Sequence, residues 1–339
     1  MKTTAHLAIC ACLTGAFALP AMAVPATAAS AMAAPKPAAP ALSAESVNAA
    51  GKTSVAAKPG TAEVLRAQIM LDRANFSSGE IDGAAGSNLR AAVSGYQQAK
   101  GIAPTGAMNE ATWAALNADS ADALITYTLA DADVAGPFLA IPENMADKAK
   151  LATLGYANAA EALGEKFHAS PALLKRLNPG KDLARAGEQI IVPNVLDTEP
   201  LPKGGKIVVD KSARTLTLYD TAGKAIAQFP SSTGSERDPL PVGNWKVKGI
   251  AKNPVFHYNP KLFWDAEASE KKAKIPAGPN NPVGVAWIDL TKEHYGIHGT
   301  PVPASIGKTQ SHGCIRMTNW DVAKLANSVG GGTDVVLQN

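Results

Sequence analysis

The sequence predicts a multidomain chain: a small all-α bundle, a small α+β module, then a β-rich two-sheet domain with one C-terminal helix. Three observations predict this. Residues 61–119 place Val64, Leu65, Ile69, Met70 and Leu71, then Leu89, Val93 and Tyr96, at helical spacing. Residues 207–209 and 215–219 alternate in the manner of half-buried strands around a polar turn. One further helical stretch, residues 318–330, stands near the end, with Val322, Leu325, Ala326 and Val329 on one face. A length of 339 residues fits two or three domains.

The N-terminus reads as a secretory signal over residues 1–23. Lys2 supplies the charge, residues 7–19 an apolar run too short to span a bilayer, and Ala21-Met22-Ala23 a cleavage site. The expected location is therefore the periplasm or cell envelope. Cys10 and Cys12 fall within the removed segment, leaving Cys314 alone in an oxidising compartment. Residues 24–60 are rich in Ala and Pro without apolar period, and read as a disordered tether. Hydrophobic content of 46% with 18% charged residues marks the rest as globular. A net charge of +3 provides no basic stripe for nucleic acid.

Within residues 61–119, a turn-rich loop at 76–83 separates two helices, Gly101 ends the second, and Ala111, Trp113 and Leu116 mark a third. Residues 120–196 offer a strand at 125–129, helices at 159–167 and 171–177, and a strand at 189–193. Ser170-Pro171 suits a helix start and Asn178-Pro179-Gly180 a stop. His168 reads as a surface residue near a turn. A linker with Pro200, Pro202 and Gly204-Gly205 leads into the last domain, residues 203–339, whose further strands fit 225–229, 243–247, 284–290 and 335–337. Thr318 caps the final helix. The Pro- and Lys-rich residues 253–282 read as a lid over a groove.

Chemistry concentrates in Ser311-His312-Gly313-Cys314-Ile315-Arg316-Met317. A thiol needs a base or positive charge to ionise near neutral pH, and His298 and His312 are the candidates. Gly313 lets backbone approach a substrate carbonyl, where successive N–H groups suit an oxyanion. His294, His298, His312 and Cys314 are zinc-ligand types, but they lack a Cys pair or a His-Glu-x-x-His helix, so no metal is expected.

These seven residues, with Tyr295-Gly296-Ile297-His298-Gly299-Thr300 upstream, resemble the L,D-transpeptidase catalytic family, which remodels bacterial peptidoglycan; sixteen positions separate His298 from Cys314. The resemblance implies Cys314 as nucleophile and His298 as general base and acid. It also implies Gly299 as the carbonyl orienting His298, and Gly313 as part of an oxyanion hole lined by His312. Arg316 suits a stem-peptide carboxylate, with Ser311, Tyr295 and Trp287 beside the groove. Residues 61–119 resemble a peptidoglycan-binding three-helix domain and residues 120–196 a lysin-motif module, which binds glycan.

The implied reaction moves an acyl group from a tetrapeptide stem, releasing D-Ala, to an amine on a second stem, giving a 3-3 cross-link without a cofactor. Water as acceptor gives a carboxypeptidase or endopeptidase, and an envelope-protein lysine gives a lipoprotein-anchoring enzyme. Acylation by carbapenems is a further implication. A non-catalytic wall-binding protein is the alternative of a different class.

Overall fold

The computed structural model describes residues 42–52, 59–196 and 198–339. The expected signal at 1–23 and most of the expected tether lie outside the described residues. Residues 42–52 of that tether are ordered, against expectation. Helix α1, Ala44–Ala49, is capped by the Ser43 hydroxyl and buries Val47. The Asn48 amide clasps the Leu124 backbone from both sides, at 2.9 and 2.8 Å. One apolar residue and one amide suffice to dock a single turn that composition marks as disordered.

Helices α2 (Thr61–Arg73), α3 (Ser87–Ala99) and α4 (Glu110–Leu116) pack around Val64, Met70, Phe76, Val93, Tyr96 and Trp113. Strand β1 (Leu124–Thr128) follows, then two short helices, α5 (Asp131–Val134) and α6 (Met145–Lys148). Next come α7 (Ala159–Lys166), α8 (Pro171–Leu177) and β2 (Gln189–Pro193). β1 and β2 pair antiparallel, Leu124 opposite Pro193 through Thr128 opposite Gln189. Leu163, Phe167, Leu174, Ile190 and Val192 form their core together with Leu65 and Ile69 of α2. The two N-terminal modules therefore share a core.

The C-terminal region contributes β3 (Lys206–Asp210), β4 (Thr215–Tyr219), β5 (Ala225–Pro230), β6 (Gly243–Lys252), β7 (Phe256–Tyr258) and β8 (Ala273–Ile275). It continues with β9 (Ala286–Leu290), β10 (Gly296–His298), β11 (Ile315–Arg316), α9 (Asn319–Ser328) and β12 (Asp334–Gln338). The expectation of two packed sheets is corrected. Eight strands form one sheet in the order β11-β10-β9-β6-β12-β3-β4-β5. The ten residues of β6 make this continuity, because residues 243–246 pair with β12 while 247–252 pair with β9. The sheet curls so that residues of both halves, including Leu218, Phe229, Ile288 and Ile297, meet Val322 and Leu325 of α9 in one core. Alternation along each short strand looks the same for one curled sheet or two flat ones, so sequence does not separate them.

The edge strand β5 is covered rather than free. Ser77 N–H donates to the Gln228 carbonyl and Gln228 N–H to the Asn75 carbonyl, both at 2.9 Å. Asp82, in the same loop, organises it: one carboxylate oxygen accepts from the Gln68 amide at 2.9 Å and from Ala84 N–H at 2.8 Å.

Candidate active site

β10 lies between β9, antiparallel, and β11, parallel. Ile297 faces Ile315 and His298 faces Arg316 across the parallel pair. Cys314 precedes β11 and so lies level with Gly296. His298 and Arg316 rise on one face of the sheet, while Ile297 and Ile315 turn to the core on the other; Cys314, one residue before β11, lies against the Gly296 backbone and near the Arg316 charge. Strand register thus gathers a thiol, an imidazole and a guanidinium that are separated in sequence.

His298 is buried, and its Nδ1 lies 2.7 Å from the Gly299 carbonyl oxygen. A carbonyl only accepts, so Nδ1 carries the proton and Nε2 keeps its lone pair. Trp287 stacks on the imidazole at 5.3 Å and 17°. Burial pushes the imidazole pKa down to about 4; the Gly299 carbonyl opposes this and the Arg316 charge adds to it. Cys314 is half-buried, with its Sγ 3.8 Å from the His294 carbonyl. Burial raises the thiol above its ordinary pKa, while the Gly296 backbone and the Arg316 charge pull it down. Burial thus disfavours the charged form of both groups.

The loop before the thiol is fixed locally. The Ser311 hydroxyl donates to the Cys314 carbonyl, and Ser311 N–H to the Thr233 carbonyl at 3.0 Å. Gly313 has φ of +104°, a region that suits glycine, and a Cβ there would stand 2.8 Å from the Tyr295 ring. Arg316 Nη2 donates to the Gln310 carbonyl and to the Thr309 hydroxyl, the latter at 3.3 Å. Its buried Nε has no protein partner among the described residues.

His312, expected beside an oxyanion hole, has its ring engaged by the segment read as a lid. Nε2 lies 3.0 Å from Asp265, and the Phe263 and Trp264 rings stand 5.3 and 5.8 Å away. Trp264 also donates to Asp238 at 2.8 Å under the Arg237 guanidinium. The lid is less irregular than its composition suggests, because β7 and β8 pair within it. Its root packs Tyr258 and Ile275 on Leu154, between α6 and α7, and Leu154 N–H donates to the Ala277 carbonyl at 2.9 Å.

Comparisons with known proteins identify two families along the chain. The L,D-transpeptidase catalytic domain family matches residues 204–337. A family of provisionally assigned peptidoglycan binding domains matches residues 60–116. YkuD of Bacillus licheniformis, provisionally named an L,D-transpeptidase, is 32% identical over 177 residues, covering 52% of this chain and 90% of its own. The chain belongs to the L,D-transpeptidase family. YkuD of Bacillus subtilis, named likewise, is 33% identical and covers 52% of this chain and 91% of its own. Among solved structures, L,D-transpeptidase 3 from Mycobacterium tuberculosis is similar at 17% identity with a TM-score of 0.33, covering 45% of this chain and 75% of that one.

Two features around the site escape sequence reading. His168 is buried, not a surface residue: Nδ1 meets Asp72 at 3.0 Å, and its ring stacks on Trp320 of α9 at 5.2 Å. Asn319, the first residue of α9, is buried and binds backbone on both sides of His298's supporting loop. A polar residue opening an apolar helix gives a weak signal. Asp72, the partner of His168, lies 96 positions away, and Glu165, one partner of Asn319, lies 154 positions away.

Proposed function

We propose that the protein is a peptidoglycan L,D-transpeptidase in which Cys314 is the nucleophile and His298 the general base. The observation that carries this is the buried His298 imidazole with Nδ1–H on the Gly299 carbonyl, in the strand beside β11, which Cys314 immediately precedes; its Nε2 has no partner among the described hydrogen bonds. As Sγ attacks the stem carbonyl, its proton passes to Nε2. The C–N bond to terminal D-Ala breaks, and Nε2 returns the proton to the departing amine. The thioester is then attacked by an acceptor amine, whose proton returns through Nε2 to the thiolate, giving the 3-3 cross-link.

The N–H groups of Gly313 and Cys314 are the oxyanion donors in this reading. Neither donates to a protein group among the described hydrogen bonds, which leaves them available. The Arg316 charge favours the thiolate and suits a stem carboxylate. Tyr295 and Trp287 wall the groove and Ser311 fixes the loop. Export to the periplasm, glycan contact by residues 61–196, and acylation by carbapenems complete the proposal. Water or a protein lysine as acceptor would use the same thioester.

Incubation with purified disaccharide-tetrapeptide tests the reading. Released D-Ala together with a cross-linked dimer is the expected product set. Substrate recovered intact in the presence of folded enzyme counts against it.

A further inference from the structure

The middle module reaches the base through one buried amide. Asn319 Oδ1 accepts from Thr300 N–H at 3.1 Å and from Val285 N–H at 3.3 Å, so its Nδ2 must face the other way. Nδ2 donates to the Pro279 carbonyl at 3.1 Å and to Glu165 Oε1 of α7 at 2.9 Å. The amide lies so close to Gly299 that a Cβ there would collide with Oδ1. Gly299 is also the residue whose carbonyl orients His298. One helical turn before Glu165, Glu161 accepts from the Asn280 amide at 2.6 Å at the lid root. One face of α7 therefore touches both the base-supporting loop and the root of the lid.

We propose that Glu165 is a positioning residue for His298: it fixes the Asn319 amide, and Asn319 fixes the Gly299–Thr300 backbone that orients the imidazole. This rests on the reading of His298 as base. Burial, with Glu161 and Glu80 nearby, raises the Glu165 carboxyl to about 7 against the Asn319 donor. Either form keeps a carbonyl oxygen that accepts from Nδ2, so the requirement is for an acceptor at that reach and not for a charge. Freed of it, Asn319 Nδ2 keeps the Pro279 carbonyl alone, so Oδ1 holds the Thr300 and Val285 N–H groups less firmly and the loop under the imidazole loosens with it. Misplacement of a base by about 1 Å typically costs up to about a hundredfold in rate.

The test measures kcat and KM on the disaccharide-tetrapeptide for full-length Glu165→Ala, Glu165→Asp and Glu165→Gln, with thermal melts to establish folding. Ala removes the acceptor and Asp withdraws it by one methylene; both are expected to lower kcat about tenfold with KM nearly unchanged. Gln keeps the acceptor and is expected to stay within about twofold of the parent. A kcat unchanged in the Asp variant, a Gln variant as slow as Asp, or a change confined to KM overturns the proposal. Should Ala fail to fold, the Asp–Gln contrast decides alone. His298→Gln run beside them separates the two readings: if it keeps full activity, the assignment of the base fails, whatever Glu165 does.

Discussion

Burial holds His298 unprotonated down to about pH 4, so this imidazole can receive a proton throughout the neutral and mildly acidic range. His298→Gln is expected to lower turnover on the disaccharide-tetrapeptide by about a hundredfold to ten-thousandfold, the usual contribution of a positioned base. The same burial links pH to stability. The folded pKa lies below that of the unfolded chain, so the unfolded state takes up the proton first. Stability fully present above about pH 6.5 is therefore lost as pH falls towards 4, by on the order of 3 kcal/mol. Denaturant midpoints measured from pH 7 to pH 4 should fall less steeply in His298→Gln than in the parent protein. Parallel slopes would mean that the imidazole is not held as a buried neutral base.

At the scale of elements, the lid and the middle module behave as one structural unit. Leu154 is wholly buried between Tyr258 and Ile275, although it lies more than a hundred positions before them. Leu154→Ala leaves a cavity at the lid root and should cost about 2–5 kcal/mol of local stability. Limited proteolysis of that variant is expected to cut within residues 253–282 faster than in the parent protein. Equal cutting rates would show that the lid does not depend on this contact.

Strand-scale patterns were legible where the period is clear: Thr215–Tyr219 and Gln189–Pro193 lie on the strands their residues imply. Residues 141–154, unplaced by any local pattern, are held by tertiary packing of Ile141, Met145, Leu151 and Leu154 at the lid root. The same reason hides Glu165 and Asn319. Neither residue breaks a local rule, and each acquires its partner only through the tertiary fold.

For the whole molecule, the hub is Asp72. This fully buried carboxylate of α2 meets His168 at 3.0 Å and Lys324 of α9 at 3.2 Å, so three parts of the chain converge on it. His168 and Lys324 hold it well below the ordinary carboxylate range despite its burial. Asp321 beside it, joined to the Ser77 hydroxyl at 3.1 Å, is pushed up to about 6 by burial and by Asp72. Asp72→Ala strands Lys324 and His168 without their anion and is expected to cost about 3–5 kcal/mol in urea unfolding. With the shared core and the covered edge of β5, this hub predicts that the parent protein unfolds in one cooperative transition. Separate transitions for the helical and β-rich parts would show that the contacts do not couple them.

Intact-mass spectrometry after brief incubation with disaccharide-tetrapeptide bears most directly on the nucleophile. The expected spectrum carries one added acyl group, equal to the substrate less D-Ala, lost in Cys314→Ala and released by hydroxylamine. An unmodified mass while product accumulates, or an adduct that persists in Cys314→Ala, would contradict a thioester at Cys314.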